Sequence, residues 1–281
     1  MRFALISVIA AEENSEGGQF CKAWADLVRR NIDLVKQKDT EATFLFPRWG
    51  LTGFDAFFHT YLHHLNDSET FHVAFQAEKE GFDAVILSCF YDPMLRELRQ
   101  AVNIPVVSML ESSLALALMM GAKVGVVTVS PEAACDHEEL IHKYGLRERA
   151  VRIRPIPETA EEQPMALMDA HRDIEAFKKV ARELIADGAD VLIPACGLMS
   201  PALRLAPGAE KEYPNGLTEV DGVPVMDSIG VAIKMVEALV SLKQAGSSWI
   251  SRKAFYAQAT PKALEFGQMV LKYDGPGFWS Y

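Results

Sequence analysis

The chain has 281 residues, 49% of them hydrophobic and 23% charged, an ordinary composition for a folded protein able to bury a sizeable core. A formal net charge of -10, with no basic patch to neutralise phosphates, argues against nucleic-acid binding. The longest apolar stretch, residues 114–120, is far shorter than the roughly 20 residues that span a membrane.

The chain opens MRFALISVIA, with a single Arg and no convincing cleavage site. It reads as a first strand at 3–10 rather than a signal peptide, so the expected compartment is the cytoplasm. In order there follow a helix at 18–36, strands at 42–46 and 84–89, a helix at 94–102, a strand at 106–109 and a helix at 112–120. Further on come a strand at 123–129, helix at 131–144, strand at 151–156, helix at 169–187, strands at 191–195 and 223–226, and helices at 229–244 and 261–272. Runs such as Ala84-Val85-Ile86-Leu87 suit strands covered on both faces, and strand–helix alternation predicts an α/β fold with parallel sheets flanked by helices. The chain ends GPGFWSY, too aromatic for a disordered tail, and is expected to pack on the body or on a neighbouring subunit.

An internal repeat organises these elements. EGFDAVILSC at 80–89 and DGADVLIPAC at 187–196 share an acidic residue, Gly and Asp, then an apolar strand, then a Cys. The match resumes where Ile104-Pro105-Val106-Val107-Ser108 faces Val223-Pro224-Val225-Met226-Asp227. The second copy is longer, and its extra length falls at 207–218, a Pro/Gly-rich charged stretch that reads as a surface loop. Two copies of one unit predict two similar lobes related by a pseudo-twofold axis, the first spanning 1–109 with 229–281, the second 110–228. Because ligands bind at the C-terminal ends of parallel strands, the repeat aims Cys89 and Cys196 at one cleft from opposite sides.

Two facing thiols suit proton transfer at a stereogenic carbon beside a carbonyl, one taking the proton and the other returning it to the opposite face. Each Cys precedes a strand-to-helix turn, where free N–H groups favour a thiolate. Gly197 allows close approach of a substrate, and the residues beside the thiols, Phe90, Gly197 and Leu198, are expected to contact it. Cys21 and Cys135 have no repeat partner and read as small core residues. Asp92 could orient a substrate amide or influence Cys89, but reads more simply as a favourable charge at a helix start, and Glu111 as a helix opener. His137, among acidic neighbours, reads as part of a solvated helix face. No metal-ligand spacing stands out, and no disulfide framework is expected.

Cys89-Phe90-Tyr91-Asp92-Pro93 followed by Leu95 and Leu98-Arg99 resembles the first cysteine motif of hydantoin racemases, in the aspartate/glutamate/hydantoin racemase superfamily. Val124-Gly125-Val126-Val127-Thr128, Gly188-Ala189-Asp190-Val191 and Pro224-Val225-Met226-Asp227 are similar to that family too. The resemblance implies a two-lobe fold, no cofactor and no metal, and Cys89 and Cys196 as the acid/base pair; a small-molecule substrate and a homo-oligomer are expected as well. It also implies substrate contacts from Thr128 and Ser130, although both could simply cap the helix at 131. Asn14 stands near the place of the family's Asn-rich turn. The second motif departs: Ala195-Cys196-Gly197-Leu198-Met199 stands where hydantoin racemases have Gly-Cys-Ala-Gly-Met, which leaves the substrate open. A cis–trans isomerase or decarboxylase of the same superfamily, a redox dithiol, and a two-lobe binding protein with incidental thiols are the competing readings.

Overall fold

The computed structural model describes residues 1–52, 59–157, 162–271 and 278–281. Its first half runs β1 (Arg2–Ile6), α1 (Glu16–Asp33), β2 (Glu41–Pro47), α2 (Thr60–Lys79), β3 (Ala84–Leu87), α3 (Leu95–Ala101), β4 (Val106–Ser108) and α4 (Met109–Met120). The second half repeats the order as β5 (Val124–Thr128), α5 (Pro131–Lys143), β6 (Ala150–Pro155), α6 (His171–Ala186), β7 (Val191–Pro194) and α7 (Met199–Leu205). A short hairpin of β8 (Glu219–Val220) and β9 (Val223–Pro224) leads into α8 (Ser228–Gln244), and α9 (Pro261–Leu271) and β10 (Phe278–Ser280) close the chain.

These elements form two parallel sheets flanked by helices. The first has the order β10-β2-β1-β3-β4 and the second β6-β5-β7, with Val225 bridged in parallel to Leu192 at the edge where β4 stands in the first. The copies therefore share strand order as well as sequence. Their registers agree: Phe3 lies beside Ala84 as Val124 lies beside Val191. Just past the strand ends, Ser7 and Ser88 of the first lobe then occupy the places of Thr128 and Ala195 in the second.

Local sequence explains each layer. β3 and β7 are buried along their whole length, as continuous apolar strands between helices must be. α1 starts at Ser15, whose hydroxyl accepts from the Gly18 N–H at 3.0 Å, and buries Cys21, Trp24, Val28 and Ile32 at helical spacing against the first sheet. α6 does the same under the second sheet with Ile174, Phe177, Ala181 and Leu184. α8 packs along α4 and against α1, beside β3 and β4 of the first sheet.

The structure corrects the sequence reading at several places. The expected strand at 223–226 shrinks to β9 and one bridge, because Pro224 has no N–H and the chain first turns back on β8. Asp221 and Gly222 make that turn at φ +50° and +83°, the pairing that two-residue hairpins prefer. The 207–218 stretch is a run of surface turns pinned by buried Ala209 and Leu217. Cys135 is exposed rather than a core residue, while Cys21 is buried as expected. The end of the expected helix at Lys272 lies outside the described residues. The aromatic tail does pack on the body: β10 runs antiparallel to β2, Trp279 stacks on Phe46 at 4.6 Å and donates its indole N–H to the Ala11 carbonyl at 2.6 Å. Among the described residues, no helix is long and apolar enough to cross a membrane.

Candidate active site

The two cysteines stand two residues past β3 and β7, the matching strands of the two sheets. Both are half-buried, and both open on one cavity of about 110 Å³ at the C-terminal strand ends. Matching positions of the two copies build its walls: Ser7 with Thr128, Ser88 with Ala195, Cys89 with Cys196, Phe90 with Gly197, and Tyr91 with Leu198. α1 adds Phe20, Cys21 and Trp24, α5 adds Ala133 and His137, and Gln163 comes from a short helical turn ahead of α6.

The two cysteine loops touch at Gly197. A Cβ built there would stand 2.8 Å from the Ser88 carbonyl oxygen, so glycine is required for the close approach. Trp24 holds the same turn, its indole N–H donating to the Gly197 carbonyl at 2.9 Å. Gly197→Ala is expected to drive the loops apart and destabilise the fold by about 1–3 kcal/mol, as overpacking does, with turnover falling alongside. Urea denaturation and steady-state rates measured on one preparation check both effects.

Each sulfur meets the N–H two residues on. The Tyr91 N–H donates to Cys89, and the Leu198 N–H donates to Cys196 Sγ at 3.4 Å. Such donors favour the thiolate. Burial nonetheless dominates at Cys89 and pushes its thiol up to about 12, with the negative charges of Asp92, Cys196 and Asp67 adding to the rise. The two sulfurs are thus close enough to feel one another's charge.

Most of the wall is apolar, and none of the described residues lining it is Lys or Arg. A few polar groups stand out against it. Thr128 Oγ1, Gln163 Nε2 and the Tyr91 hydroxyl are buried with no hydrogen-bond partner among the described residues. An unsatisfied buried polar group costs about 1–3 kcal/mol, so these atoms are suited to receive a polar ligand. His137 stacks on Tyr91 with ring centroids 5.4 Å apart, and burial pulls its pKa down to about 4, leaving a neutral imidazole. Among the described residues, no group of three or more His, Cys, Asp or Glu side chains is placed to hold a metal ion.

The family described as Asp/Glu/Hydantoin racemase matches residues 53–236 of the chain. The chain belongs to that racemase family. A hydantoin racemase of Pseudomonas sp. (strain NS671) is 30% identical over 211 residues, 73% of this chain and 76% of that protein. A hydantoin racemase of Rhizobium meliloti is 29% identical, covering 61% of this chain and 66% of that one. Among solved structures, the allantoin racemase of Klebsiella pneumoniae superimposes with a TM-score of 0.69 at 20% identity, over 92% of this chain and 94% of that one. The allantoin racemase of Pseudomonas fluorescens gives 0.65 at 22% identity, over 93% and 98%. The two-lobe fold is thereby shared with racemases, and the chain is an isomerase.

In this racemase, six of the eight residues singled out from sequence meet at the cavity: Cys89, Cys196, Phe90, Thr128, Gly197 and Leu198. The other two do not reach its wall. Asn14 is exposed just ahead of α1. Ser130 is buried as the cap of α5, its hydroxyl accepting from the Ala133 N–H at 3.1 Å, the same part that Ser15 plays for α1. Asp92 also differs from expectation. Its own helix, α3, begins only at Leu95, and its carboxylate instead accepts from the Leu110 and Glu111 N–H groups that open α4. Burial raises Asp92 to about 7, against the pull of the Tyr144 and Leu110 hydrogen bonds.

His137 is the clearest residue that sequence reasoning misplaced. It is buried, and Ala133, His137 and Ile141 recur every fourth residue on the inward face of α5, a spacing that outweighs its acidic neighbours in sequence. Ser7 could have been found by extending the repeat upstream to Thr128. Trp24 and Gln163 carry no sequence signal, since only the packing of α1 and the turn before α6 brings them to the cavity.

Proposed function

We propose that this racemase inverts the carbon beside a carbonyl in a small neutral cyclic ureide of the hydantoin type, using Cys89 and Cys196 as its two bases. The observation that carries the reading is the equivalent placement of the two thiols, each at the end of the matching strand of its lobe and both on one cavity wall. In one direction the Cys89 thiolate takes the proton from carbon, and the electrons of the C–H bond pass to the carbonyl oxygen as an enolate. The Cys196 thiol then gives its proton to the opposite face, the enolate electrons form the new C–H bond, and Cys196 is left as the thiolate. The reverse direction exchanges the roles.

The lining supports a neutral substrate. A free amino acid carries a carboxylate, and a buried carboxylate needs a cationic partner that the described wall does not offer. Ring amides need only donors and acceptors, which Thr128 and Gln163 supply from buried atoms without a partner among the described residues. Ile9, Phe20, Trp24 and Leu198 form an apolar surface suited to the ring's substituent. The names of the hydantoin racemase relatives accord with this choice. The division into lobes of 1–109 with 229–281 and 110–228, a cytoplasmic setting and a homo-oligomer belong to the same proposal, and sedimentation velocity tests the last.

Incubation in deuterium oxide with single enantiomers tests the function. Enantiopure 5-substituted hydantoins are expected to lose optical rotation while gaining deuterium at the ring carbon. Aspartate and glutamate enantiomers are expected to stay unchanged. Turnover of those amino acids in preference to hydantoins would overturn the substrate class, and absence of exchange with any of these compounds would overturn the hydantoin reading.

A further inference from the structure

The two copies differ at one structural joint, and the difference lies beside Cys89. In the second lobe, α8 is capped by its own preceding residue, as the Asp227 carboxylate accepts from the Gly230 N–H at 2.9 Å. The repeat places Ser108 at that position in the first lobe, and Ser108 makes no such cap for α4. The opening N–H groups of α4 go instead to Asp92, from Leu110 at 3.1 Å and Glu111 at 2.9 Å. Asp92 belongs to the loop that carries Cys89, three residues away. The corresponding position of the Cys196 loop is Met199, which can form no such bond.

That loop is held in an uncommon shape. Asp92 has φ +47° and Met94 φ +52°, left-handed conformations that side chains with a Cβ seldom adopt. Such residues persist where the surroundings over-determine them. A third bond completes the hold and crosses between lobes. The Tyr144 hydroxyl, at the end of α5, donates to Asp92 Oδ2 at 2.6 Å. The Arg96 guanidinium of α3 donates to the Lys143 carbonyl at 3.2 Å, tying the same two regions a second time. Arg99 grips Glu111 at the start of α4 with paired hydrogen bonds, which steadies the helix end that Asp92 caps.

We infer that Asp92 and Tyr144 are positioning residues that fix the Cys89 loop, and so the Cys89 sulfur, relative to the second lobe. The carboxylate joins three parts that must keep register during proton transfer: the Cys89 loop, the first turn of α4 and the end of α5. Cys196 has no counterpart and is placed by contacts of its own loop, the Trp24 bond and the meeting of Gly197 with Ser88. The inference rests on the two-cysteine reading for its catalytic consequence, but not for its geometry.

The test uses the full chain with Tyr144→Phe and Asp92→Asn. Reacting atoms displaced by about 1 Å can cost about a hundredfold in rate, so loss of the interlobe bond alone is expected to lower kcat by about tenfold with KM little changed. Partial alkylation by iodoacetamide, read by peptide mass spectrometry, is expected to show the Cys89-to-Cys196 labelling ratio shifted at least about threefold, with exposed Cys135 as the reference. Should Asp92→Asn fail to fold, Tyr144→Phe still decides the matter, because it removes one hydroxyl and leaves the cap of α4 in place. An unchanged labelling ratio in folded Tyr144→Phe overturns the inference, even if kcat falls, since the loss would then be general. A shifted ratio beside a Cys89→Ser variant that remains fully active would uphold the positioning role and refute the two-cysteine reading instead.

Discussion

Cys89→Ser and Cys196→Ser are each expected to cut racemisation by at least about a thousandfold, within the range that a positioned acid or base contributes, while leaving the fold intact. A serine hydroxyl is nearly isosteric but ionises far less readily than a thiol, so the variant loses the base on one face and keeps the cavity. Stability should hardly change, because neither cysteine is disulfide-bonded and both are only half-buried. Thermal melts of the variants should therefore overlay that of the parent. The more telling readout is isotopic. With one thiol left, the enzyme can still take and return a proton on a single face, so each variant should wash deuterium into one enantiomer without inverting it. The two variants should select opposite enantiomers. Cys135→Ser, at an exposed position, is the control and should match the parent. If one of the two variants kept full turnover, a single-base route would replace the two-base scheme.

The pseudo-symmetry that makes those variants complementary was legible in the sequence because it is written twice. The EGFDAVILSC and DGADVLIPAC segments announce β3 and β7, and their buried apolar runs leave little choice of structure. α2 was not legible for the opposite reason. Its sequence, TYLHHLNDSETFHVAFQAEK, has no apolar stripe, and its buried positions include Asn66, Thr70 and His72. Asn66 is buried because its side chain serves the backbone, accepting from the Leu51 N–H and donating to the Val8 carbonyl. Periodicity reads such a helix poorly, because its inward face mixes these polar residues with Val73, Ala74 and Ala77.

The candidate site divides the same way. Residues adjacent to the cysteines came out of the repeat, whereas Trp24 and Gln163 arrive from elements whose approach is fixed only by tertiary packing. Asp92 shows how a local rule can choose the wrong partner. A carboxylate next to a helix start does cap a helix, but the left-handed turn at Asp92 and Met94 points it at α4 rather than at α3. Sequence adjacency suggested the nearer helix, and backbone conformation selected the farther one.

The pH profile carries the other large effect. Burial raises the Cys89 thiol, so at neutral pH the thiol form prevails in the free enzyme. The reaction needs one thiolate and one thiol, and burial keeps the proton on Cys89 until well above neutrality. The sign follows: raising pH increases the population with one thiolate, and lowering pH removes it. From pH 6 to pH 9, log kcat/KM is expected to climb with a slope near one, a gain of about a thousandfold, before falling when the second proton is lost. His137 should leave no inflection in this window, since burial holds it neutral down to about pH 4. Asp92, raised to about 7, is the group that can bend the line, because its ionisation adds negative charge beside Cys89. Asp92→Asn should straighten that bend and leave the overall rise in place. A profile that is flat from pH 6 upward in the parent would mean that the Tyr91 and Leu198 N–H groups outweigh burial, with the thiolate already formed before substrate arrives.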